Sequence, residues 1–208
     1  LADVLSHGER RRLEIAAVLV QEPRILLLDE PLAGLGPDES RDIVRLFADL
    51  RKSCAVMLIE HDIDVVFSVA VLSMQLEDWP VAEANLKRLL DLGYRDRNAV
   101  RFYLGQVSEE QKRFPDALQW YSEVTRGEQF MPAQIRTAQV LWKQGDLDGA
   151  RKYLQQVNAQ SNDQRVQLIL AEAQLLRDAK QEKEAFGVVD QALDKLPNHP
   201  DLLYDHAM

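Results

Sequence analysis

The amino-acid sequence predicts an α/β fragment with parallel strands followed by an all-α helical solenoid. Three observations point there. Two short apolar runs each end on an acidic cluster. Past residue 70 the composition shifts to the good helix formers Leu, Ala, Gln, Glu and Arg. From there on, an alanine-anchored apolar pattern returns with a period of about 34 residues.

The front elements come first. Arg24-Ile25-Leu26-Leu27-Leu28 runs into Asp29-Glu30-Pro31, and Ala55-Val56-Met57-Leu58-Ile59 runs into Glu60-His61-Asp62. Continuous apolar runs of this length suit strands of a parallel sheet covered on both faces. Helical stretches at Leu13–Val20 and Asp42–Leu50 alternate with them, so the order reads β-α-β with a right-handed crossover. A lone piece of this kind leaves much apolar surface open. Ligands of such sheets collect beyond the carboxyl ends of the strands, where both polar clusters fall. An acid at a strand tip can hold Mg²⁺, a second acid beside it can orient or deprotonate water, and a histidine at the next tip can reach a terminal phosphate. Taken singly, each cluster reads better as a polar strand exit or a solvated loop residue.

The neighbourhood of these clusters is more specific. Leu5-Ser6-His7-Gly8-Glu9, followed by Arg10-Arg11-Arg12-Leu13-Glu14-Ile15-Ala16, resembles the ABC signature motif. A helix N-terminus opened by small residues is an anion site by its free N–H groups and dipole. A Walker B-like Ile25–Glu30, a D-loop-like Leu32-Ala33-Gly34-Leu35-Gly36 and a switch-histidine-like Glu60-His61-Asp62 follow in family order. Residues 1–70 therefore resemble the second half of an ABC transporter ATPase domain, of the branched-chain amino acid and urea importer type. The resemblance implies ATP and Mg²⁺ as ligands. It makes Asp29 the Mg²⁺-side acid, Glu30 the catalytic base and His61 the γ-phosphate sensor. Ser6, Gly8 and Glu9 become the signature contacts, and Gly36 stands where many ABC proteins carry aspartate. No G-x-x-x-x-G-K-[ST] loop occurs, and the sole lysine among the first 70 residues is Lys52. Weak or no ATP binding by the chain alone is therefore expected, with turnover only beside a partner that supplies the loop.

The helical part repeats. Ala82/Leu86/Leu89, Ala117/Tyr121/Val124, Ala150/Leu154/Val157 and Ala185/Val189/Ala192 share one pattern, with alanines 35, 33 and 35 residues apart. Twelve residues before the later alanines stand Gly105, Ala138 and Ala173. These small residues let the two helices of a hairpin approach closely. Turn material lies between them, at 111–115, 143–146 and 178–182, and Pro80 suits a helix start. The pattern resembles the tetratricopeptide repeat, which implies stacked hairpins and a groove for a protein or peptide partner. Trp79, Trp120, Trp142 and Tyr121 read as core packing, and His199 and His206 as surface residues. Ala70 lies twelve residues before Ala82, so one helix from about Asp62 to Glu77 is expected to end the front unit (1–70) and begin the repeats (71–208).

The bulk properties exclude other classes. Net charge is -9, with 8 Lys/Arg against 13 Asp/Glu in the front and 17 against 21 in the repeats, so neither half is a basic nucleic-acid module. The single cysteine, Cys54, rules out an intrachain disulfide, suits a reducing cytoplasmic setting and reads as a small buried hydrophobe. No stretch reaches the ~18 apolar residues of a membrane span. Three functions follow as expectations: a protein-interaction scaffold carrying an incomplete ATPase segment, an ATPase part working with a full ABC subunit, or a fragment or spliced frame, since both ends of the sequence cut a motif.

Overall fold

The structure, a computed structural model, describes residues 6–50, 53–59 and 63–207. The chain divides into two compact units, residues up to Arg97 and residues from Asn98 on.

The first unit begins with helix α1 (His7–Leu19), strand β1 (Ile25–Asp29), helix α2 (Pro37–Leu50) and strand β2 (Ala55–Ile59). The strands pair in parallel, from Ile25 opposite Ala55 to Asp29 opposite Ile59, with α2 as the crossover. Alternation along each strand sends successive side chains to opposite faces. Leu26 is buried, and Leu28 packs partly buried against a core of Ile15, Leu32, Ile43, Val44, Phe47 and Val69. Ile25 and Leu27 on the opposite face stay 64% and 65% exposed, and Met57 58%. Cover on both faces, expected from the unbroken apolar runs, is thus met on one face only. The bare face is the open apolar surface expected of a short β-α-β piece. Cys54 is buried at the entry to β2.

Helix α3 (Ile63–Gln75) is the continuous helix expected at the seam. It carries two stripes at i, i+4, i+7 spacing. Val65, Val69 and Leu72 pack into the α/β core. Val66, Ala70 and Ser73 form a second buried stripe, and α3 lies along α4 (Trp79–Asp91), which buries Ala82, Leu86 and Leu89. Phe67 stacks on Tyr94 with ring centroids 5.1 Å apart. One helix therefore serves the core of the α/β piece and the first hairpin together, which is why that hairpin falls within the first compact unit.

The second unit contains all but the first residue of α5 (Arg97–Glu110), then α6 (Phe114–Ser122), α7 (Phe130–Lys143), α8 (Leu147–Gln156), α9 (Asn162–Asp178), α10 (Glu182–Lys195) and α11 (Pro200–Ala207). They stack as successive hairpins, each second helix also packing on the first helix of the next. The repeat alanines Ala117, Ala150 and Ala185 have no exposed surface, and Tyr121, Leu154 and Val189 are sealed beside them. The small residues of the first helices do what close packing demands. A Cβ on Gly105 would lie 2.3 Å from the Tyr121 ring. Of the tryptophans, Trp142 packs against the α7–α8 core, and all three keep part of their surface exposed.

The turns inside the hairpins repeat as well. Glu77, Lys112, Gly145 and Lys180, spaced 35, 33 and 35 residues apart, all have positive φ, from 56° to 90°. At each, the next residue donates its N–H back across the helix end: Asp78 to Ser73, Arg113 to Ser108, Asp146 to Leu141 and Gln181 to Leu176. That is the left-handed helix stop which satisfies otherwise orphaned carbonyls. Three of the four positions are not glycine, so the sequence does not advertise them.

Candidate functional site

The end of β1 holds Asp29, its last residue, and Glu30, which follows it, both exposed to solvent. The Glu30 N–H donates to the Ile59 carbonyl at 2.8 Å, so the ladder runs one residue past the strand. Glu30 then turns with φ of 45°, a left-handed conformation costly for a side chain with a Cβ. Arg11 of α1 holds that turn. Its guanidinium donates to the carbonyls of Asp29 (3.3 Å), Glu30 (2.9 Å) and Pro31 (3.2 Å), and pairs with Glu14 at 2.9 Å. The sequence reading passed over Arg11. Its signal was position: it lies four residues before Ile15 and eight before Leu19, on the stripe that faces the core.

Ser6 caps α1. Its Oγ accepts from the Glu9 N–H at 3.2 Å, and the Glu9 carboxylate accepts from the Ser6 N–H at 2.9 Å. This reciprocal box satisfies two donors at the helix start and brings a negative charge there. Gly8 sits in the first turn of α1. His61, the expected γ-phosphate sensor, lies outside the described residues, as do Leu5, Glu60 and Asp62.

These residues fit Mg²⁺ and ATP unevenly. The exposed Asp29 carboxylate makes no hydrogen bond among the described residues and suits a cation held partly by water. The α1 N-terminus suits a phosphate once the Glu9 carboxylate swings away from Ser6. Among the described residues, no group of three or more His, Cys, Asp or Glu gathers into a metal cage.

The second unit treats its charges differently. Glu109 of α5 has a side chain 1% exposed. Its carboxylate accepts from Tyr121 Oη at 2.7 Å on α6, and from Lys143 Nζ at 2.8 Å and Arg136 Nη1 at 3.4 Å on α7. Burial and the adjacent Glu109 charge push the Tyr121 phenol up from its ordinary value. Glu172 of α9, also buried, accepts from Arg151 Nε at 3.0 Å and Gln155 Nε2 at 2.8 Å on α8. Neither carboxylate was singled out from the sequence, because a glutamate in a helical stretch with no motif around it reads as a surface residue. His199, expected at the surface, is partly buried and its Nε2 lies 3.4 Å from Asp163.

Comparison with known proteins agrees with both halves. Residues 70–131 and 135–200 match the tetratricopeptide repeat family model, and residues 1–33 match the ABC transporter model. The chain belongs to the tetratricopeptide repeat family. It is 36% identical over 111 residues to the TPR repeat-containing protein PA4667 of Pseudomonas aeruginosa, covering 53% of this chain and 19% of that protein. It is 38% identical over 109 residues to the high-affinity branched-chain amino acid transport ATP-binding protein BraF of the same organism, covering 51% of this chain and 41% of that one. The chain thus spans less than half the length of either relative. Among solved structures, TPR-like repeats of a Podosopora anserina kinesin light chain superpose with a TM-score of 0.53 at 16% identity, covering 90% of this chain and 95% of that one. The C-terminal part of a TPR repeat-containing protein from Cytophaga hutchinsonii gives 0.54 at 13%, covering 76% and 60%. These likenesses show the helical-repeat fold. Among the described residues, no helix is long and apolar enough to cross a membrane.

Proposed function

We propose that the chain is a protein-interaction scaffold whose repeats hold a protein or peptide partner. The observation that carries this is the run of stacked hairpins with sealed alanine contacts and recurrent left-handed turns, matched by the tetratricopeptide model over most of residues 70–200. Such a stack offers a long, stiff surface at little ordering cost on binding. The test is co-purification with the tagged full chain, followed by titration of each retained protein in purified form. Saturable binding of one species supports the reading; retention no greater than on a tagged globular control of equal charge sinks it.

The ABC match of the first 33 residues favours a second reading for the front segment. There Asp29 would hold Mg²⁺, Glu30 would take a proton from the attacking water, and His61 would contact the terminal phosphate. Ser6, Gly8 and Glu9 would form the signature end. ATP would supply a phosphoanhydride whose hydrolysis drives conformational work. The phosphate-loop motif does not occur in these 208 residues, so this reading assigns the main phosphate grip to other residues. Calorimetry of Mg²⁺-ATP with the chain and with Glu30→Gln tests it. Micromolar binding that survives in Glu30→Gln supports it, and no binding beyond that of a complete ABC subunit measured alone removes it.

A further inference from the structure

The second unit contains an open trench with α9 as its floor and α8 and α10 as its walls. Two cavities of about 320 and 620 Å³ adjoin there and share Gln155, Arg165, Ile169 and Glu172. That is the size range of a site for a drug-sized molecule or a few peptide residues. The lining residues fall at helical spacing. Arg165, Ile169 and Glu172 run along α9, and Glu184, Gly187, Val188, Gln191 and Lys195 along α10.

Gly187 is the informative residue. It stands in the middle of α10, where glycine costs about 1 kcal/mol relative to alanine. Nothing local demands it. Its φ is not positive, and a Cβ built there would meet no atom within 4 Å. Gly105 shows the contrast, since Tyr121 fills the space its Cβ would need. Gly187 instead leaves backbone bare on the trench wall, which is what glycine supplies where another chain must approach closely.

Charge then selects the occupant. The whole chain is acidic at -9. In the trench, Arg151, Arg165 and Lys195 outnumber Glu172 and Glu184, and Arg151 is already engaged with Glu172. Arg165 and Lys195 are exposed and make no ion pair among the described residues. Between them lie the apolar Ile169, Val188 and Ala192. We infer that the trench binds an extended segment of a partner protein that seats a small or branched apolar side chain against Gly187 and Ile169 and presents carboxylates to Arg165 and Lys195. The inference rests on the scaffold reading and specifies its site.

A phage-displayed library of random twelve-residue peptides, panned on the full chain, tests it. Clones should be enriched in Asp or Glu flanking an apolar residue. Selected peptides should bind Gly187→Leu at least tenfold more weakly, and Arg165→Glu/Lys195→Glu not measurably, while the Gly187→Leu chain melts no lower than the wild type. Enriched clones that bind Gly187→Leu equally well would overturn the trench and leave the scaffold reading standing. Clones without acidic enrichment would overturn the charge assignment. No enrichment at all would overturn the trench and leave the scaffold reading to the co-purification test. Self-association of the wild type that is lost in Gly187→Leu, seen by sedimentation, would give the trench to a second copy and overturn the partner segment.

Discussion

The two units handle charge in opposite ways. In the first, the acids of the Walker B-like run, Asp29 and Glu30, lie exposed at the end of β1, and one sheet face is bare. In the second, Glu109 and Glu172 are sealed inside the helix stack with fixed partners. An exposed acid is free to act on something that arrives, whereas a buried, paired acid fixes helix register. Substitutions should therefore separate the two kinds cleanly.

The largest separation concerns Glu109 and Asp29. Glu109→Ala removes the acceptor of the buried Tyr121 hydroxyl and the partner of Lys143 and Arg136, and leaves a cavity. Leaving the buried Tyr121 hydroxyl without its acceptor costs about 1–3 kcal/mol, and the cavity adds to that. Asp29→Ala removes an exposed group and should stay within about 0.5 kcal/mol. Urea unfolding followed by tryptophan fluorescence reads both, because Trp79 lies in the first unit and Trp120 and Trp142 in the second. An equal loss in the two variants would make Asp29 structural and dissolve the contrast.

Two glycines sharpen the same contrast inside the repeats. Gly105→Ala drives a Cβ into the Tyr121 ring, which is buried and cannot retreat. Overpacking of this kind costs about 1–3 kcal/mol. Gly187→Ala should act with opposite sign and stabilise by up to ~1 kcal/mol, through helix propensity alone. If Gly187→Ala destabilises instead, glycine there serves the fold and the trench loses its argument.

The buried phenol adds a pH signature. Tyr121 has its folded pKa raised, mainly by burial and then by Glu109. The unfolded phenol titrates near 10. Below that pH the neutral form is present in both states and its contribution is complete. Above it the unfolded chain loses the proton while the folded chain keeps it, so stability falls by about 1.4 kcal/mol per pH unit. Tyr94 and Tyr153 are shifted in the same direction. Only the Tyr121 share should vanish in Tyr121→Phe, measured as a shallower loss of stability between pH 10 and 11.

Much of the architecture was legible in the sequence, and its limits are physical. The alanine period announced the hairpins because Ala117, Ala150 and Ala185 stand where only small side chains fit. The parallel strands were legible because Ile25–Asp29 and Ala55–Ile59 are unbroken apolar runs ending on acids. Yet an apolar run does not tell which face a short sheet will cover, so the bare side at Leu27 and Met57 needed the structure. At the candidate site, Asp29 and Glu30 were named from their motif, whereas the hold of Arg11 on their turn was hidden in a run of three arginines that differ only in angle around α1. Glu109 and Glu172 gave no signal, since a buried carboxylate is defined by partners far along the chain. The trench is invisible for the same reason: it exists only once α8, α9 and α10 have stacked.

The smallest expected effect concerns the left-handed residues inside the hairpin turns. Lys112 and Lys180 adopt φ of 59° and 61°, matching Gly145 at the equivalent position. A left-handed residue with a Cβ costs about 1–2 kcal/mol, against which glycine raises the entropy lost on folding by about 0.5–1 kcal/mol. Lys112→Gly and Lys180→Gly should therefore each stabilise the second unit by roughly 0.5 kcal/mol, and Gly145→Ala should destabilise it by about 1 kcal/mol. The turns are far apart in sequence and share no partner, so the two lysine replacements should add within about 0.5 kcal/mol. Urea midpoints of the single and double variants decide this. A loss of stability in either lysine variant would mean that its side chain, and not the turn geometry, holds the hairpin closed.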